Sequence, residues 1–295
     1  MTVYKKIPVY SICSLIGSNE KQTDLLAIGL SRFLTENTNI IFPHRHDFYQ
    51  LLYITKGGGQ HVIDFVTYPV DAGYFYFLSP GMMHTWAFEG DTEGYLINFT
   101  GSFFQSVFRN ESFLSDFPFF HSINNAPFLQ INTQTKQTIL PILIDILTEY
   151  EHRSPFFDTL IRAHLTRLFV LLSRAYTPQT VLTASYNNIS LVREFEKLVD
   201  AYYLDKRFPR DYAPILSITP SYLNEVCVET VGKSAGQIIR ERVILEIKRL
   251  LVHSKSTISE IAYQLNFEDN AYFSRFFKKY TNLTPEKFRQ QTAKS

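Results

Sequence analysis

Thr257 to Arg289 reads TISEIAYQLNFEDNAYFSRFFKKYTNLTPEKFR, and the rest of the chain is best understood outward from it. Thr257 and Glu260 have the spacing of a capping box, in which hydroxyl and carboxylate each accept from one free backbone N–H. Ile258, Ile261, Ala262 and Leu265 follow at i, i+3, i+4, i+7, which predicts a helix with one apolar face. Asn266 tolerates the left-handed conformation that stops a helix, and Phe267 can fold back as the apolar residue after the stop. A second helix is expected from near Asp269, apolar at Phe273, Phe276, Phe277 and Tyr280. Its other face carries Asn270, Ala271, Ser274, Arg275 and Lys278. The stretch thus predicts helix, sharp turn, helix.

The outer face of the second helix has the chemistry of base reading. Asn bonds adenine bidentately, Arg does the same to guanine, and Ala can touch a thymine methyl. The helix N-terminus adds free N–H groups and a positive dipole. Any surface helix has a polar face, so this helix alone leaves the matter open; a second copy decides it. Upstream, Ala213 aligns with Ala262, Leu216 with Leu265, Tyr222-Leu223 with Tyr272-Phe273, and Val226-Cys227 with Phe276-Phe277. Gly232 falls on Asn282, both able to adopt positive φ. The copies lie about fifty residues apart, joined by Ser234 to Ser254, which reads as one long helix with apolar Ile238, Ile239, Val243, Ile247, Leu250 and Leu251. Pro214 fits the first unit only if its opening helix starts near Asp211. Ser221, Asn224 and Glu225 are the expected base readers of the first unit, and Asn270, Ala271, Ser274 and Arg275 those of the second. Glu225 would accept from a cytosine amino group or orient a neighbouring cation. Lys233, Arg240, Arg242, Lys278 and Lys279 are phosphate candidates.

The motif residues resemble the DNA-binding domain of the AraC/XylS family of transcription regulators. They are Ile258, Ile261-Ala262, Asn266-Phe267, Ala271-Tyr272-Phe273-Ser274-Arg275, Phe277-Lys278-Lys279, Asn282, Pro285 and Phe288-Arg289. The likeness runs from roughly residue 191 to 289, and two positions that are glycine in the family are Asn here. It implies sequence-specific binding to double-stranded promoter DNA, contact with RNA polymerase, and an effector domain ahead of the DNA-binding one.

The whole chain carries +1, which hides an asymmetry. From Asn188 onward there are 17 Lys plus Arg against 13 Asp plus Glu, or +4, leaving −3 for the remainder. The cationic part is the one with the repeats, as phosphate binding requires. Cys13 and Cys227 fall in different expected domains, so no structural disulfide is expected, and Cys227 reads as a small core residue of the first recognition helix. No charged-then-apolar leader and no span-length apolar run is read in the sequence, and a soluble, cytoplasmic protein without membrane contact is expected.

From Ile40 to Phe99 the pattern changes to strands: Gln50 to Thr55, Gln60 to Phe65, Tyr74 to Leu78 and Gly94 to Phe99. Between them lie Gly57-Gly58-Gly59, Asp71-Ala72-Gly73 and Pro80-Gly81, read as turns. The spacing predicts a β-barrel or jelly roll. His44-Arg45-His46, the glycine run, Gly73 and Pro80-Gly81-x-x-His84 resemble the cupin-like sensor domain found in front of many regulators of the same family. His44, His46 and His84 occupy slots that bind metal in enzymatic cupins, and imidazoles one residue apart on a strand share a face. The carboxylate expected shortly after the paired histidines is not evident, and Gln50 stands about there. These histidines are therefore expected to be hydrogen-bonded pocket groups, with no metal and no cofactor. Phe48, Tyr53, Tyr76, His84 and Trp86, with His44 and His46, are the candidate lining for a small-molecule effector.

Thr133 to His152 and Ser154 to Ala175 read as two helices, with Pro141 expected to begin or kink the first. Leu160, His164, Leu165, Leu168, Leu171 and Leu172 form a stripe that covers the barrel or serves a homodimer contact, as in the resembled regulators. Residues 176–188 lose periodicity and read as a linker. The expected fold is α+β in two domains: a cupin-like β-barrel with flanking helices over 1–175, and an all-α double helix-turn-helix domain over 189–295. The expected function is an effector-controlled transcription regulator, not an enzyme. The alternatives are a metal-dependent cupin enzyme with a helical tail, which would purify with metal on the three histidines, and a ligand-independent DNA-binding protein.

Overall fold

The computed structural model describes residues 8–16, 23–38, 42–105, 113–120, 126–176, 186–254 and 256–292. They form two compact units, one ending at residue 176 and the other beginning at 186. Most of the expected linker, 177–185, lies outside the described residues.

The first unit runs β1 (Val9–Tyr10), α1 (Ile12–Ile16), β2 (Leu25–Gly29), α2 (Leu30–Glu36), β3 (Arg45–His46) and β4 (Tyr49–Ile63). It continues with β5 (Val66–Asp71), β6 (Tyr74–Leu78), β7 (His84–Phe99), α3 (Gly101–Gln105), β8 (Phe128–Gln130), α4 (Thr133–His152) and α5 (Phe157–Ala175). β2, β7, β4, β6 and β8 are neighbours in that order, all pairs antiparallel, and β5 also pairs with β4. β1 pairs with β3 in a separate parallel ribbon, and His44 bridges to His84.

Two expected strands, Gln50 to Thr55 and Gln60 to Phe65, are one long strand. The glycine run between them is a bulge, not a turn: the register against β7 shifts between Ile54 and Lys56 and again between Lys56 and Gly58. Gly57 and Gly59 have φ of 118° and 121°. A Cβ on Gly59 would overlap the Ala87 carbonyl of the paired strand. The bulge lets the first half of β4 pair with β6 and the second half with β5, which coils the sheet. Gly94 to Phe99 is likewise the end of a longer strand, β7.

The sheet is buried on both faces. One face holds Phe48, Leu52, Ile54, Ile63, Tyr76 and Trp86, closed by Leu30 and Phe33 of α2. The other holds Leu51, Tyr53, Phe75, Phe77, Ile97 and Phe99, covered by α4 through Ile139, Ile142, Leu143 and Ile146 and by α5. In α5 the buried stripe is Ile161, Leu165, Leu168, Phe169 and Leu172, while Leu160 is exposed. The Asn132 side chain caps α4, which runs through Pro141 instead of starting there. Pro141 removes one backbone donor, but packing of the apolar face holds the helix together.

The second unit is helical: α6 (Tyr186–Tyr202), α7 (Pro209–Tyr212), α8 (Pro220–Val231), α9 (Ala235–His253), α10 (Ile258–Gln264), α11 (Asn270–Thr281) and α12 (Pro285–Thr292). α7 starts at Pro209, two residues before the expected start. Asp211 accepts from the Arg207 and Phe208 N–H groups, and the helix gives way to turns before Pro214, where a ring inside a helix would clash. None of the described helices is long and apolar enough to cross a membrane.

Candidate functional site

The second helix-turn-helix is assembled by local bonds. Thr257 accepts from the Glu260 N–H at 3.1 Å and Glu260 accepts from the Thr257 N–H at 2.6 Å, so both halves of the capping box are made. These bonds hold the Glu260 carboxyl below its usual range, the Thr257 backbone donor being the main cause. Asn266 has φ of 54°; its N–H bonds the Tyr263 carbonyl and the Phe267 N–H the Ala262 carbonyl. That bond pair is a Schellman stop. The Asp269 side chain then caps α11 through the Ala271 and Tyr272 N–H groups. Arg207, which the sequence reading passed over, is half-buried, donates to the Leu265 carbonyl and lies over the Phe267 ring at 4.8 Å, locking the turn from behind.

Phe273 and Phe277 of α11 are fully buried, whereas Phe276 is only partly so and Tyr280 is exposed. Asn270, Ala271, Arg275, Lys278 and Lys279 stand exposed, with Ser274 partly so. Asn270 donates to Ser259 Oγ at 3.0 Å, and Arg275 reaches Asp269 at 3.5 Å with both side chains largely in solvent. An exposed ion pair of that kind is weak and is easily exchanged for a base or phosphate.

In the first unit Thr219 caps α8, with Pro220 at its first position. Leu223, Val226 and Cys227 are buried, and burial pushes the Cys227 thiol up to about 12, so it is a core group and not a nucleophile. Ser221, Asn224 and Glu225 are exposed. Asn224 accepts from the Ala235 N–H at 3.3 Å, which joins α8 to the start of α9. Lys233 pairs with Glu241 at 2.7 Å, and Arg240 lies 5.3 Å from the Tyr280 ring centroid. Arg242 differs from the other cations: its side chain is 11% exposed, bonds Asp200 and Glu246, and stacks on Tyr203 at 3.9 Å. Its charge is spent inside the unit.

α9 touches both reading units: α8 packs against it and Asn224 bonds its start, and α10 and α11 pack along its second half. Val243, Ile244, Ile247 and Leu251 pack with Ile261, Ala262, Leu265, Phe273 and Phe277. α8 and α11 therefore rest on the same helix.

In the barrel, Phe48, Tyr76, His84, Trp86, His44 and His46 are buried. Tyr53 does not join them, because it lies on the opposite face of the sheet beneath α4 and α5. His44, His46, Phe48, Gln50 and Trp86 border a tight crevice with Tyr10, Leu15 and Phe33 that leaves no room for a water molecule. The sequence reading also missed His61, whose only signal was its parity in β4. His61 Nε2 lies 3.0 Å from His84 Nδ1, and His84 Nε2 lies 3.0 Å from His46 Nε2. Burial lowers all four imidazoles: His46 to about 3, His61 and His84 well below the usual value, and His44 less, opposed by its bond to the Phe42 carbonyl.

Two family profiles match the chain, an AraC-like ligand-binding domain over residues 30–169 and a helix-turn-helix domain over 212–291. The HTH-type transcriptional activator RhaR of Escherichia coli (strain K12) is 22% identical over 255 residues, covering 85% of this chain and 88% of RhaR. The RhaR of Shigella dysenteriae serotype 1 is 23% identical over the same span. Among solved structures, Vibrio cholerae ToxT bound to an unsaturated fatty acid covers 92% of this chain and 97% of its own at 14% identity. Its TM-score of 0.41 is too low for structural detail to be carried across.

Proposed function

The chain belongs to the AraC/XylS family of transcription regulators, and from that premise we propose how its surfaces divide the work. As an AraC-type regulator it binds DNA through the second unit and carries a ligand-binding domain in the first. We assign base reading to Ser221, Asn224 and Glu225 on α8 and to Asn270, Ala271, Ser274 and Arg275 on α11. Lys233, Arg240, Lys278 and Lys279 hold phosphates. Arg242 does not join them, because it is paired with Asp200 and Glu246 inside the unit.

The observation that carries this assignment is the exposed polar face of α11, set on a rigid core shared with α9. Asp269 already uses two of the helix's free N–H groups, so phosphate contact there falls to the side chains and the remaining donors.

Residues 1–175 form the sensing domain in this reading, 176–188 the linker and 189–295 the DNA-binding domain. The barrel answers a small molecule, and the protein acts in the cytoplasm as a homodimer that activates transcription with RNA polymerase; it is not an enzyme. The outward face of α5, with Ala163, Val170 and Leu171 among Arg162, Arg167 and Arg174, offers the dimer contact. The test is a genome-wide footprint of the bound protein, followed by titration of the recovered site against a scrambled duplex at moderate salt. Preference for the recovered site is expected, and equal affinity for both duplexes refutes the assignment.

A further inference from the structure

We infer that the barrel holds one divalent transition-metal ion of the zinc type on His44, His46 and His84. The argument is a count of protons, and it stands apart from the DNA-binding assignment.

His44 Nδ1 lies 2.8 Å from the Phe42 carbonyl and His46 Nδ1 lies 3.0 Å from the Phe48 carbonyl. A carbonyl only accepts, so both rings carry their proton on Nδ1 and leave Nε2 bare. Trp86 Nε1, which only donates, is 2.7 Å from His61 Nε2. That nitrogen is therefore an acceptor, and the His61 proton sits on Nδ1, which has no partner.

His84 stands between two acceptors, His61 Nε2 and His46 Nε2, each at 3.0 Å. A neutral imidazole has one proton for the two. Placed on Nε2, that proton serves His46 and leaves the bare Nδ1 of His84 against His61 Nε2, whose lone pair faces Trp86. Placed on Nδ1, it leaves the bare Nε2 of His84 against the bare Nε2 of His46, so one bare pair remains either way. One ring nitrogen from each of His44, His46 and His84 lies within 4.8 Å of the others. Lone pairs that converge in a buried site need a positive centre between them.

A metal ion supplies that centre and accounts for the surroundings. Ligating histidines donate their other N–H to a carbonyl or similar acceptor, which fixes tautomer and ring orientation. Here the acceptors are the Phe42 carbonyl for His44 and the Phe48 carbonyl for His46, while His84 Nδ1 shares the single lone pair of His61 Nε2 with the Trp86 N–H. Ligand nitrogens of four-coordinate zinc stand about 3.3 Å apart, given zinc–nitrogen bonds of roughly 2.0–2.1 Å. The His46–His84 pair is already near that separation, and a small turn of His44 closes the set. Gln50 borders the same crevice as His44 and His46, and its buried Oε1 accepts no hydrogen bond. It can fill the fourth position. Three neutral imidazoles and an amide oxygen suit zinc, iron, nickel or copper and not magnesium or calcium.

The test uses the tag-free full-length chain after treatment with a chelator. Zn²⁺ is titrated in competition with a fluorescent chelator, and Co²⁺ is added separately for its visible absorption. One equivalent of Zn²⁺ and an intense four- or five-coordinate Co²⁺ spectrum are expected, both abolished in His46→Ala/His84→Ala. His61→Phe, which spares all three ligands, should weaken Zn²⁺ by roughly 10–100-fold. Nitrogen NMR of the unaltered protein keeps the test independent of whether the variants fold. Zn²⁺ should shift Nε2 of the three histidines while their Nδ1 protons remain. Failure to take up stoichiometric metal, or a His84 protonated on both nitrogens and indifferent to Zn²⁺, overturns the inference.

Discussion

At the scale of single residues, the DNA-facing cations differ in what holds them. Arg275 is largely in solvent and, among the described residues, pairs with Asp269 across a weak exposed contact, so it is free to turn toward a base; Lys279 is a point charge without a fork and is assigned to phosphate. Arg275→Ala should therefore lose about 1–3 kcal/mol of specific binding and relax preference at one base pair. Lys279→Ala should instead weaken all sequences alike and lower the salt slope by about one unit. Anisotropy titrations on specific and random duplexes over a range of salt separate the two, and equal loss on both duplexes for Arg275→Ala would refute its reading role. Glu260 supports a second prediction. Its carboxyl titrates below the ordinary value because the folded chain donates to it through the Thr257 N–H. Stability from that bond is complete above the unfolded-state value and is lost as pH falls through the lower folded-state one. Glu260→Gln should flatten that part of the melting-temperature profile at acid pH, while Thr257→Ala costs about 1 kcal/mol at neutral pH.

At the scale of elements, the sequence was most readable where local bonds decide the outcome. Capping box, Asn266 stop, Asp269 cap and the buried Phe273 and Phe277 all follow from residues within one or two turns of each other. The barrel was harder because its signals come from distant chain. β4 is buried on both faces over Leu51 to Ile54, and the one polar residue beside them, Gln50, is itself buried, so polarity does not mark which side faces in. That is why Tyr53 was grouped with Phe48 and Tyr76 although it packs under the helices. The glycine run misled for a related reason: three glycines read as a turn unless the partner strand is known, and here β7 carries the chain straight through. The same geometry sets a test. Gly59→Ala meets the Ala87 carbonyl at positive φ and should cost on the order of 3 kcal/mol. Gly58→Ala, with only the Val70 carbonyl at 3.9 Å and no positive φ, should change stability by less than about 0.5 kcal/mol. Urea unfolding of both variants checks the contrast, and equal losses would mean that the bulge does not depend on Gly59.

At the scale of the molecule, the separation of charge follows the separation into units. The net +4 from Asn188 onward resides in the unit that approaches phosphate, and the remainder of the chain is negative. Since that unit has its own core along α9, a fragment beginning near residue 177 should fold alone and keep its sequence preference. The stiffness of α9 makes a sharper prediction about the DNA. α8 and α11 both pack on α9, so the two subsites they read should keep both their separation and their rotational phase. Inserting about 5 bp between the subsites turns one of them to the far side of a duplex that repeats every 10–10.5 bp, and should cut affinity to that of a single subsite. Inserting a full turn restores the phase but moves the subsite about 34 Å away, beyond the reach of a rod whose ends are packed. Affinity should therefore stay at the single-subsite level for both insertions. Recovery at the full turn would mean that the units swing independently although both pack on α9.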